Sequence, residues 1–95
     1  MKKKPEEPNF DNLMKEISAF EKKAGFEKTS KKQLVTWIKE EVKNYENAKT
    51  DLIKRNKLLD IIALVMQIAI REDYSLDSAW KRWWKKSEKY LNRKS

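Results

Sequence analysis

The chain has 95 residues, 40% of them charged, with Lys+Arg 23 against Asp+Glu 15 and a formal net charge of +8. It contains one glycine and neither histidine nor cysteine. A chain of this length is one domain with one core. Without His or Cys it can assemble no Ser-His-Asp or Cys-His nucleophile system, no imidazole or thiolate metal site and no disulfide. The single Gly25 cannot supply a phosphate loop or a dinucleotide fingerprint. Carboxylate chemistry or binding remains.

Residues 1–8 hold both prolines and read as a disordered basic-acidic tail, leaving 9–95 as the single domain. Nothing from Asn9 onward breaks a helix except Gly25 and short polar joints, so the expected class is all-α. The first helix spans about Phe10 to Ala24, with Phe10, Leu13, Met14, Ile17 and Phe20 on one face. Asn9 is placed to cap it and Gly25 to follow its end. Ser30-Lys31-Lys32-Gln33 has capping-box spacing and opens a second helix that continues to about Ala48, with Leu34, Val35, Ile38, Val42 and Tyr45 inward. A third runs from about Asp51 to Arg71 and is apolar almost all round over Leu58–Ile70, as in a central helix shared with another subunit. The fourth follows Ser75 as N-cap and turns Leu76, Trp80, Trp83, Ser87, Tyr90 and Leu91 inward. Four helices with short joints predict an antiparallel bundle. The run Leu58–Ile70 falls short of the roughly twenty residues that cross a bilayer. No apolar segment follows the basic start, so a soluble cytoplasmic protein is expected.

Two carboxylates stand where the helical period expects apolar residues. At about 100° per residue, Glu41 falls with Leu34, Ile38 and Tyr45, while its neighbour Glu40 points off that face. Asn44 is three residues on from Glu41, on the same face and beside Trp37. Asp60 and Gln67 are the only polar residues within Leu58–Ile70, and Lys57 lies one turn before Asp60. An unpaired carboxylate in a core costs several kcal/mol. Glu41 and Asp60 on adjacent helices therefore imply a bound cation, a basic partner or a water-filled cleft.

The segment Trp37-Ile38-Lys39-Glu40-Glu41-Val42-Lys43-Asn44, followed by Lys57-Leu58-Leu59-Asp60, resembles the MazG-like all-α nucleotide pyrophosphohydrolases. Their pattern is Glu-Glu-x-x-Glu on one helix and Glu-x-x-Asp on the next. The stretch from Tyr74-Ser75-Leu76-Asp77 to Tyr90-Leu91-Asn92-Arg93 is similar to that family's last helix, so the likeness covers roughly residues 10–93. It implies a four-helix MazG-like bundle completed by homodimer or homotetramer formation. It also implies Mg²⁺ held by acidic ligands, and cleavage of a nucleoside triphosphate to the monophosphate and pyrophosphate. Carried over by position, Glu41 and Asp60 are the catalytic and metal-holding residues, with Glu40 the leading acid. Asn44 stands where the third Glu of the first half-motif belongs, and Lys57 where the Glu of the second belongs. Two anionic ligands are thus replaced by an amide and a cation, which makes the resemblance one to an altered or inactive site. Lys86, Lys89 and Arg93 match positions that reach substrate phosphates; Trp37, flanking Glu41 on helix two, is placed either to cover a base or simply to pack.

From Trp80 to Ser95 the chain carries seven Lys or Arg against one acid, so the net charge is concentrated on the last helix. Such a face attracts phosphate. Trp80 and Trp83 lie on the inward stripe and are expected in the core, whereas Trp84 falls beside Lys81 and Lys85. Three functions fit the sequence. The first is a catalytically impaired MazG-like protein that binds a nucleotide or nucleotide-derived ligand between helices two and three. The second is an active Mg²⁺-dependent pyrophosphohydrolase. The third is a basic helical module that binds nucleic acid or protein through its last helix.

Overall fold

A computed structural model describes residues 9–92. The tail 1–8 and Arg93 lie outside the described residues. The described residues form four helices and no strand: α1 (Phe10–Ala24), α2 (Lys31–Glu46), α3 (Asp51–Glu72) and α4 (Leu76–Asn92). The all-α expectation holds. Among these residues, no helix is long and apolar enough to cross a membrane.

Most helix ends fall where local chemistry puts them. Gly25 ends α1 in the left-handed region, φ 82°, where a side chain would be strained. The Ser30 hydroxyl accepts from the Gln33 N–H at 3.0 Å and that of Thr50 from Ile53 N–H at 3.2 Å, starting α2 and α3. α2 stops at Glu46, two residues before the expected Ala48. Asp73, at φ 60°, closes α3.

The start of α1 departs from expectation. Asn9 occupies the cap position, but its side chain makes no capping bond to the backbone. Asp77 of α4 caps α1 instead, its Oδ1 accepting from Phe10 N–H at 2.7 Å and Asp11 N–H at 3.2 Å. Asp11 returns the bond, its Oδ1 accepting from Leu76 N–H at 3.0 Å and Asp77 N–H at 3.3 Å. Its Oδ2 also accepts from the Ser75 hydroxyl at 2.7 Å. Two helix N-termini thus sit side by side, each using the other's aspartate against its own exposed amides and its partial positive charge. The Ser75 hydrogen bond, aided by the Leu76 and Asp77 amides, holds the Asp11 carboxyl below its ordinary value. Its contribution is therefore present above the usual carboxylate range and is lost as pH falls through the lowered pKa. Asp77→Ala should cost about 1–2 kcal/mol, a typical cap loss. It should also fray the start of α1, seen as faster amide exchange at Phe10 and Asp11.

The α2/α3 pair is the most extensive contact, and its ion pairs set an antiparallel register, since Lys31 meets Glu72 and Lys57 meets Glu41. α1 lies across α3, with Met14, Met66 and Ala69 buried and Phe10, Ile17, Ile70 and Leu76 packed round them. α4 joins through its first turns, Leu76 in that cluster and Trp80 against Phe10 with ring centroids 6.0 Å apart. Beyond this the expected inward stripe of α4 is uncovered: Trp83, Tyr90 and Leu91 are 49%, 58% and 67% exposed. Trp83 is therefore not core in the single chain. The radius of gyration, 16.1 Å, exceeds the roughly 12 Å of a compact domain of this length.

Candidate functional site

The face shared by α2 and α3 carries Leu34, fully buried, then Ile38, Glu41 and Tyr45 at successive turns, all partly buried. Glu41 is the residue that the helical period set among apolar neighbours, and the structure supplies its partner. Lys57 Nζ lies 3.1 Å from Glu41 Oε1 and 3.8 Å from Asp60 Oδ2. Asn44 Nδ2 donates to the same Glu41 Oε1 at 3.2 Å. Of the three possibilities for a carboxylate here, the basic partner is the one present.

Four sequence-predicted residues, Glu41, Asn44, Lys57 and Asp60, thus converge on one point. The Asn44 hydrogen bond first and Lys57 second draw the Glu41 carboxyl below its ordinary value. Glu41 and Lys57 are about three-quarters covered, their side chains 25% and 27% exposed. Asp60 is different. At 51% exposed it is solvated as well as paired, which corrects the expectation that burial alone made it anomalous. Glu40 is exposed and off the face, as its period requires.

The donor set does not suit a divalent cation. Mg²⁺ requires several hard anionic oxygens about one centre. Here the ammonium of Lys57 stands between the two carboxylates, and among the described residues no group of three or more acidic, His or Cys side chains is arranged to hold a metal.

The remaining predicted residues lie apart from this point. Trp37 packs edge-on against Phe26, ring centroids 6.4 Å apart, and Phe26 against Phe20 at 6.3 Å. Lys86 and Lys89 are exposed on α4, and no ion pair among the described residues joins them to Glu41 or Asp60. Trp84, expected beside the lysines, belongs to an aromatic cluster with Trp80 and Trp83 whose centroids are 5.3–6.3 Å apart.

One charged pair was missed by the sequence reading. Glu21 is buried, its side chain 1% exposed, and receives both ends of the Arg71 guanidinium fork, Nη1 to Oε1 at 2.9 Å and Nη2 to Oε2 at 2.8 Å. Arg71 also donates from Nε to the Thr29 carbonyl at 2.9 Å and from Nη2 to the Phe26 carbonyl at 2.8 Å. Glu21 raises the guanidinium pKa further, so Arg71 stays charged at any working pH. This pair ties the end of α1 and the 25–30 joint to the end of α3. The available signal was the period: Glu21 falls seven residues after Met14 and four after Ile17, in the middle of the α1 apolar stripe.

No protein-family model, no curated protein and no solved structure matches the chain.

Proposed function

We propose that the chain is a MazG-like nucleotide-binding protein, a catalytically impaired relative that takes a nucleotide or nucleotide-derived ligand at the α2/α3 face and acts as a homodimer or homotetramer in the cytoplasm. The observation that carries this reading is Lys57, whose ammonium stands 3.1 Å from Glu41 and 3.8 Å from Asp60. A tethered cation there meets the charge requirement that an acidic pair otherwise passes to a metal ion. It is also a strongly hydrated point charge that can turn from carboxylate to phosphate. With Asn44 a neutral donor beside it, the cluster recognises anions without the anionic ligands that hydrolysis through a metal requires. Self-association is favoured by the many large apolar side chains left exposed on α1, α3 and α4.

Thermal melting in EDTA with 1 mM nucleoside mono-, di- and triphosphates is the test. Stabilisation by at least one of them, at ten times its Kd, amounts to about 1.4 kcal/mol. That is roughly 6–11 °C for a domain of this size. The shift should persist without metal, disappear in Lys57→Met and occur without pyrophosphate release. No shift across the panel overturns the proposal. Mg²⁺-dependent pyrophosphate release abolished by Glu41→Ala would replace it with the active pyrophosphohydrolase.

A further inference from the structure

Two apolar surfaces stand open in the same molecule. One is a groove of about 270 Å³ between α1 and α3. Leu13, Phe20, Leu59 and Ile62 line it and are 45%, 57%, 64% and 48% exposed. The other is the distal half of α4, where Trp83, Tyr90 and Leu91 border a second hollow with Lys86. α4 does not occupy its own groove. The reciprocal Asp11/Asp77 caps and Leu76 in the core fix where it starts, and Trp80 against Phe10 fixes how it leaves.

The distribution of charge on α4 says what covers its open face. At about 100° per residue, Leu76, Trp80, Trp83, Trp84, Tyr90 and Leu91 fall within an arc of roughly 120°. Lys81, Arg82, Lys85, Lys86 and Lys89 fill a second arc of roughly 140° on the opposite side. A single nucleic-acid strand needs aromatics and cations interleaved on one surface, so that bases stack while the backbone is neutralised. These are segregated. A strand stacked on Trp83 leaves Lys85 and Lys89 pointing away from it. The apolar arc is that of a helix laid on protein, with the cations left in water. Two copies of α4 packed on each other would bring two helices of net positive charge alongside and leave both α1/α3 grooves open. The groove offers mainly apolar side chains, the amide of Gln67 and one charged residue, the acid Glu16.

The dimensions agree. Trp83 to Leu91 spans about 12 Å of helix, and Leu13–Phe20 and Leu59–Met66, which flank the groove, each span about 10 Å at 1.5 Å per residue. With the aromatic side chains at 150–250 Å² each, the seven half-exposed side chains present on the order of 700 Å² per protomer. A standard interface takes about 800 Å² from each partner.

We propose that α4 is an exchange arm. In a two-fold dimer, the Trp83, Tyr90 and Leu91 face of each copy docks in the α1/α3 groove of the other, with Lys86 set toward the rim acid Glu16. The contact is made twice and closes on itself, so it yields a discrete dimer and not a filament. It rests on the self-association in the function proposed above, but not on nucleotide binding. The basic arc of each α4 faces outward in the dimer.

The absence of cysteine makes the test direct. Leu59→Cys and Leu91→Cys alter two of the most exposed apolar positions and should fold as the parent does, checked by far-ultraviolet circular dichroism. The parent should show twice its 11.5 kDa mass by light scattering. Under mild oxidation the double variant should run as a covalent dimer, while each single variant stays largely uncrosslinked. Trp83→Glu should shift the dimer to monomer by at least tenfold in Kd. A monomeric parent at 50 μM overturns both the arm exchange and the self-association. A dimer in which Leu59→Cys or Leu91→Cys crosslinks alone, or in which the double variant closes within one chain, overturns the arm exchange and leaves self-association standing.

Discussion

Arg71→Met should be the most damaging single substitution in the chain, lowering stability by about 3–5 kcal/mol in urea or thermal unfolding, because it strands the Glu21 carboxylate without a partner. That carboxylate is 1% exposed, so water cannot replace the guanidinium fork. A small domain holds about 5–15 kcal/mol in all. The variant should therefore be largely unfolded near 37 °C. Arg71→Lys should fare little better, since one ammonium cannot serve both carboxylate oxygens and the Thr29 and Phe26 carbonyls from a fixed plane. The informative variant is Glu21→Leu with Arg71→Met. Replacing both charges with apolar groups removes the desolvation cost along with the attraction, so the double variant should be more stable than Arg71→Met alone. Additive losses would mean that the pair is solvated in solution and contributes no buried coupling.

The contrast between Glu21 and Glu41 shows what a sequence can disclose about a fold like this one. Both acids fall on an apolar stripe by period alone, and both are held by a basic residue on α3. Glu41 stands out in the sequence because Lys57 and Asp60 form a second irregularity at short spacing. The partner of Glu21 is 50 residues away, at the end of a helix where a basic residue is unremarkable. Local periodicity finds the buried acid, but a long-range pairing is settled only by how α1 crosses α3. The same division holds for helix ends. Ser30 and Gly25 act through their own backbone and were legible. The capping of α1 by Asp77 was not, since nothing near Asn9 announces an acceptor from α4. Amphipathicity likewise identifies the apolar arc of α4 correctly, but it assigns that arc to the core of the same chain. A stripe states only that a helix must be covered. Whether its own chain or another does so depends on where α4 is anchored.

Lys57→Glu should reverse the electrostatics of the α2/α3 face. Two carboxylates held by one ammonium become three carboxylates converging where the ammonium was, and without metal the fold should lose about 1–2 kcal/mol, more than a surface pair is worth because Glu41 and Lys57 are largely covered. The same three acids are what a divalent cation needs. Mg²⁺ or Mn²⁺ at ten times its Kd should return about 1.4 kcal/mol, and EDTA should remove it. The parent, whose Lys57 already fills that position, should show no metal response in the same melt. Lys57→Met separates charge removal from charge reversal through its pH profile. In the parent, the lowered Glu41 pKa means its contribution is complete above the ordinary carboxylate range and is lost as pH falls through the lowered value. Lys57→Met should move that loss to higher pH, but only in part, because the larger cause, the Asn44 hydrogen bond, survives. Asn44→Ala should move it further. If Lys57→Glu melts like the parent and ignores divalent cations, the four side chains do not share one point in solution, and the anion-binding cluster built on them fails with it.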